Sequence, residues 1–173
     1  MKHKVKKRGL VCMMIICMIL SCGTVYAYQT NGRVLSSPTF ITYKIQSSAS
    51  QYSSMITTYM KKWNSCSELA FAPSQVSIGN GNINFVGKTT VNSQNIAVCA
   101  HYGNDSHTIT LYKPFVNLST SNKRETIVHE VGHALGLAHC QSNKNSVSVM
   151  RESGFNNKAY PLSDDYAGIS YIY

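Results

Sequence analysis

Acidic side chains are scarce in this chain: 173 residues carry seven Asp and Glu, too few to furnish calcium sites of six to eight oxygen ligands. The apolar run Leu10 to Leu20 falls short of the 18 or more residues that a membrane-spanning helix needs. Past residue 27 there is no run of Lys or Arg interleaved with aromatics, so the electrostatic footprint of a nucleic-acid binder is missing. Cysteines are few and unevenly placed. Cys12, Cys17 and Cys22 lie near the start, leaving Cys66, Cys99 and Cys140, an odd set that cannot pair completely. One disulfide among any two of them and three reduced, buried thiols both fit.

What is present begins with an export signal. Residues 2 to 8 hold five basic side chains, Leu10 to Leu20 supplies an apolar core without charge, and Val25-Tyr26-Ala27 offers a small-residue cleavage site. This reads as a signal peptide over residues 1–27 with a mature chain starting at Tyr28. Cys22, after Ile19-Leu20-Ser21, offers the alternative of lipid attachment. Without the leader, the charge falls from +9 to +4, with 11 Lys and Arg against seven acids, so the basicity mostly serves addressing. The remaining 146 or so residues suffice for one domain with a real core.

The densest information lies in residues 129 to 139, His-Glu-Val-Gly-His-Ala-Leu-Gly-Leu-Ala-His. On a helix, His129 and His133 leave the same face and can share one ion, with Glu130 beside them. A third ligand at His139 requires the helix to stop, because continuation would carry it about 9 Å further along the axis. Gly136 stands where the stop is needed, since a residue without Cβ takes positive φ at little cost. Three protein ligands rather than four leave a coordination position open, which is the mark of a catalytic rather than structural zinc. A thiolate from neighbouring Cys140 would close that position.

Upstream, Tyr52, Met55, Ile56, Tyr59, Met60 and Trp63 form a helical stripe that predicts packing on a sheet. Residues 40–45, 76–78, 83–86, 95–102 and 107–112 are β-rich pieces separated by Gly and Asn turns, predicting a twisted sheet of about five strands. Asn122 with Glu125 resembles a capping box opening the motif helix. Ile127, Val128, Val131, Leu135 and Ala138 are predicted to bury its inner face. Gly132, inside that helix, costs about 1 kcal/mol relative to Ala and suggests a close backbone neighbour.

His129, Glu130, His133, Gly136 and His139 resemble the HExxHxxGxxH signature of the metzincin zinc peptidases. Met150, in Ser148-Val149-Met150, resembles the Met-turn beneath the metal in that clan. Residues 164–173, beginning Asp164-Asp165 and containing Gly168-Ile169, resemble the last helix of the matrixin branch, and Thr42-Tyr43-Lys44-Ile45 resembles its first strand. Glu152 stands where some metzincins place a zinc-binding tyrosine, which again favours the matrixin branch. The resemblance spans roughly residues 39–173, the catalytic domain, with residues 28–38 as a linker or short N-terminal segment. It implies an α+β metzincin fold, a mixed sheet of about five strands with three helices, and a zinc cleft between an upper and a lower subdomain.

The resemblance further implies that residues 95–102 form the edge strand that binds substrate backbone. It gives Met150 and Gly136 a supporting role, has Asp164 and Asp165 tie the last helix to the Met-turn, and makes Tyr160-Pro161 a wall of the specificity pocket. His101 and His107 with Asp105 resemble a remnant of the matrixins' second, structural zinc site, but Lys88 to Gln94 supplies neither His nor Asp, so one Zn2+ is expected. The pro-segment cysteine of matrixins has no counterpart between the leader and the first strand.

These readings describe a secreted zinc-dependent endopeptidase acting on a protein or peptide substrate, a monomer with no membrane span in its mature form. Its expected machinery is a zinc-activated water, His129, His133 and His139 as ligands, and Glu130 as general base. Two alternatives keep the same fold: a non-proteolytic zinc- or peptide-binding domain, and a surface protein lipid-anchored through Cys22.

Overall fold

The computed structural model describes residues 28–173, so the leader, its cleavage site and Cys22 lie outside the described residues. The fold is α+β. Strand β1 (Tyr43–Ile45) pairs in parallel with β2 (Ile83–Lys88), β2 in parallel with β4 (His107–Tyr112), and β4 antiparallel with β3 (Ala97–His101). The order β1-β2-β4-β3 leaves β3 on an edge. In β4, His107, Ile109 and Leu111 are buried while Thr108, Thr110 and Tyr112 are less so, the alternation of a strand with one covered face.

Helix α1 (Ser53–Met60), flanked by 3₁₀ turns at Ser47–Tyr52 and Lys61–Ser65, covers that face together with α2 (Thr120–Ala134). The apolar stripe turns inward as its spacing demands: Ile56, Met60 and Trp63 are fully buried, and Tyr52, Met55 and Tyr59 pack against them. Trp63 Nε1 donates to the Val128 carbonyl at 3.0 Å, joining the two helices through a buried indole that needs an acceptor. Helix α3 (Ser163–Ile172) closes the lower part of the molecule. No helix among the described residues is long and apolar enough to cross a membrane.

Two local expectations are corrected. The described sheet has four strands, not about five, because residues 76–78 do not extend into a ladder. Side chains take over that edge of β1: Gln75 Oε1 accepts from the Ile45 N–H at 2.9 Å, and Lys44 Nζ donates to the Val76 and Ser77 carbonyls, each at 2.9 Å. With those carbonyls committed, the segment makes one strand-like bond, Val76 N–H to Tyr43 O at 2.9 Å. The second correction concerns the start of α2. Its N-cap is Ser119, whose Oγ accepts from the Asn122 N–H at 3.2 Å, so Asn122 is inside the helix. Glu125 is buried against Arg151 in an ion pair and plays no part in capping.

Cys66, Cys99 and Cys140 are free thiols. Burial pushes Cys66 up to about 12 and Cys99 higher still, which makes both poor nucleophiles.

Candidate metal centre and cleft

Helix α2 ends in a Schellman motif: the Leu137 N–H reaches the Gly132 carbonyl at 3.0 Å and the Gly136 N–H reaches the His133 carbonyl at 3.1 Å. Gly136 has φ +101°, and a Cβ there would collide with the carbonyl oxygen of Arg33. Glycine is therefore required twice over, once for backbone conformation and once for space. The turn sends residues 137–139 back along the helix, and His139 joins His133 and His129.

His133 Nε2 lies 3.1 Å from His129 Nε2 and 3.2 Å from His139 Nε2. The other nitrogens settle what these atoms are. His129 Nδ1 is 2.9 Å from the Val149 carbonyl, and His133 Nδ1 is 2.8 Å from the Leu137 carbonyl; a carbonyl only accepts, so both Nδ1 atoms donate. Burial holds the rings neutral, depressing His129 to about 3 and His133 to about 4. Each Nε2 is then a bare lone pair pointing at its neighbours. Such an arrangement is repulsive without a cation between the nitrogens, and the spacing matches the roughly 3.3 Å that a tetrahedral ion with 2.0–2.1 Å bonds to nitrogen imposes. The donor set therefore fits zinc. Among the described residues, the group of His, Cys, Asp or Glu close enough to hold an ion is this triad.

Glu130 follows His129 on the same helix and is 7% exposed. Burial raises its proton affinity to about 7, against a smaller opposing pull from the Cys99 backbone of edge strand β3. His129, Glu130 and His139 line two adjoining cavities of about 290 and 410 Å³. Both run beneath β3 through Asn95 and Ala97. On the far side the first is bounded by Val149 and the stretch Arg151–Phe155. The cleft thus separates the sheet and its helices from the segment that follows His139. Tyr160, about half exposed, does not line it.

The lower wall is held by α3. Asp165 accepts from Ser148 Oγ at 2.5 Å, the Val149 N–H at 2.9 Å and the Leu162 N–H at 2.7 Å. Asp165 holds the Val149 N–H, and the next peptide, whose Met150 N–H donates to Ser148 Oγ at 2.9 Å, presents the Val149 carbonyl to His129. Met150 lies beneath α2, where its Sδ and the Trp63 ring occupy the space a Cβ on Gly132 would need. The close neighbours of Gly132 are therefore two side chains and not the backbone expected from the sequence.

Two features escaped the sequence reading, and a cluster named there is arranged differently. The Glu125–Arg151 pair is buried in the cleft wall, with Asn156 N–H also donating to Glu125 at 3.0 Å. Residues 29–31 run antiparallel to residues 136–138, through a Thr30–Leu137 bridge and the Asn31 N–H to Gly136 carbonyl bond at 2.8 Å. His101 and His107 hydrogen-bond through their Nδ1 atoms at 2.9 Å, and Asp105 accepts from the Ser36 N–H instead of joining them. No signal within a short window points to the first two, because their partners lie 26 or more residues apart in sequence.

Among known proteins, the family model described as Matrixin matches residues 36–173. Protein SpAN of Strongylocentrotus purpuratus is 32% identical over 119 residues, 59% of this chain and 16% of that protein, so the chain spans a small part of this relative's length. Two solved structures of myroilysin are similar in fold at 15% identity: one with a TM-score of 0.60 over 84% of this chain and 88% of its own, the other with 0.55 over 82% and 98%.

Proposed function

The chain belongs to the matrixin family, and from that premise we propose that it is a secreted zinc-dependent endopeptidase with His129, His133 and His139 as ligands and Glu130 as general base. The observation that carries the reading is the convergence of three imidazole Nε2 atoms with a buried carboxylate one residue along and a cleft beside both. When bound, zinc supplies a Lewis acid that makes water a usable nucleophile near neutral pH. Glu130 takes the proton from that water and can return it to the leaving amine. Burial suits it to this role by favouring the protonated carboxyl, raised to about 7 in the metal-free site. The free edge of β3 offers N–H and C=O groups to an extended substrate backbone, aligning a peptide along the cleft. Val149 and Leu137, through their carbonyls, hold two of the rings in the tautomer a metal needs.

In this reading residues 1–27 are a removable signal, residues 39–173 the catalytic unit, and the mature protein a monomer bearing one Zn2+. Hydrolysis of casein by the purified protein tests the assignment, with chelator, with zinc restored, and with Glu130→Ala. Chelator and the substitution each abolish turnover, and zinc restores the first alone. Activity surviving either treatment contradicts it. Zinc uptake without any proteolysis would instead support the non-proteolytic alternative. Mass spectrometry of the exported protein separates an N-terminus at Tyr28 from an acylated Cys22.

A further inference from the structure

We propose that Asn31 is a positioning residue for the metal centre: its side-chain amide holds the carbonyl that orients the His133 imidazole. This inference rests on the reading of His133 as a zinc ligand. The Leu137 carbonyl accepts from His133 Nδ1 at 2.8 Å and from Asn31 Nδ2 at 3.2 Å. The same Nδ2 donates to the His133 main-chain carbonyl at 2.8 Å. One NH2 group thus clamps both the backbone of His133 and the acceptor of its ring.

The amide orientation is unambiguous. Asn31 Oδ1 accepts from the Arg33 N–H at 3.0 Å, and the two carbonyls can only accept, so the amide nitrogen must face them. Asn31 is itself fixed by its N–H to the Gly136 carbonyl, and the strand beside it by the Ala138 N–H to the Gln29 carbonyl at 2.9 Å. These bonds secure the stretch between the helix end and His139, whose exit is a glycine with positive φ. Without them the Leu137 peptide is free to rotate at a glycine-ended turn, and ordering the His133 ring falls to the metal. Outer partners of metal-bound histidines are worth about 10–100-fold in affinity; Asn31 acts one bond further out, at the lower end of that range.

Zinc competition against a chromophoric chelator, with the purified protein and its Asn31→Ala, Asn31→Asp, Leu35→Ala and His133→Ala variants, tests the proposal. Asn31→Asp keeps the size and the Oδ1 acceptor but loses both donors. Leu35, 3% exposed at the far end of the same segment, loosens the segment when truncated while leaving the amide in place. Both Asn31 variants weaken zinc binding about tenfold, whereas Leu35→Ala lowers the melting temperature of the metal-free protein and leaves zinc affinity within about twofold. Asn31 variants within about twofold of the parent overturn the proposal, as does Leu35→Ala weakening zinc as much as they do. Zinc uptake by the parent that is indifferent to His133→Ala overturns the metal-site reading and this inference with it.

Discussion

At the scale of single residues, carbonyl oxygens determine the chemistry of the histidines. Val149 and Leu137 each accept from an Nδ1, which leaves Nε2 as the metal-facing lone pair. Burial then sets opposing pH responses in the metal-free protein. His101, His107, His129 and His133 are all depressed by desolvation, the last two to about 4 or below. Each accepts a proton more readily when unfolded, so its contribution to stability is complete above about pH 6.5 and is lost as pH falls toward its folded value. Glu130 runs the other way. Its carboxyl rises from 4.5 to about 7 on burial, so its contribution is intact below the unfolded value and lost as pH rises through 7. Asp164 and Asp165 are raised by burial as well and run with Glu130, from the lower starting value of an aspartate. Four histidines outweigh three carboxyls, and urea unfolding of the metal-free protein shows stability increasing from pH 5 to 7. Glu130→Gln removes one opposing group and steepens that increase; an unchanged or shallower slope contradicts the sign.

Gly136 is the other decisive single residue. Positive φ and the nearby Arg33 carbonyl both exclude a side chain, so Gly136→Ala costs about 1–3 kcal/mol of unfolding free energy. Zinc binding weakens in the same variant because the turn delivers His139. Denaturant titration and a zinc competition assay check the two effects separately.

At the scale of elements, helix α2, edge strand β3 and the stretch after His139 enclose the cleft, and a buried ion pair joins two of its walls. Arg151 and Glu125 are each less than one-tenth exposed. Arg151→Met alone strands a buried carboxylate and costs about 3–5 kcal/mol, whereas Glu125→Leu with Arg151→Met recovers most of the loss. A double variant as unstable as the single one, by equilibrium unfolding, contradicts this.

What was legible in the sequence is what short spacing encodes. The 129–139 motif and the stripe from Tyr52 to Trp63 read out from local patterns, whereas the tie between the last helix and the Met150 turn through Asp165 was implied by the family resemblance. The fifth strand and the capping box failed because distant partners overrode local propensity. Gln75 and Lys44 occupy the groups a ladder would use, and Arg151 draws Glu125 inward from 26 residues away. The docking of residues 29–31 was hidden for the same reason: a polar stretch without periodicity carries no sign of backbone pairing more than a hundred residues on.

At the scale of the whole molecule, the three proposed ligands come from a helix and the turn that follows it, and a zinc held by them would link α2 to the segment that follows it. Such a site exists in the folded chain alone, so free zinc at 100 times its dissociation constant would add about 2.7 kcal/mol to stability. The melting temperature rises accordingly, chelator reverses the rise, and His129→Ala abolishes it. A melting temperature indifferent to zinc argues against a site formed by the fold.

Turnover of zinc-loaded Glu130→Gln, compared with the zinc-loaded parent protein, tests the proposed role of Glu130 as the base beside a bound zinc. The two proteins are expected to hold equal zinc, with kcat on a peptide substrate reduced by about 10²–10⁴-fold in the variant. A fully metallated Glu130→Gln protein that cleaves the peptide at the parent rate would contradict it.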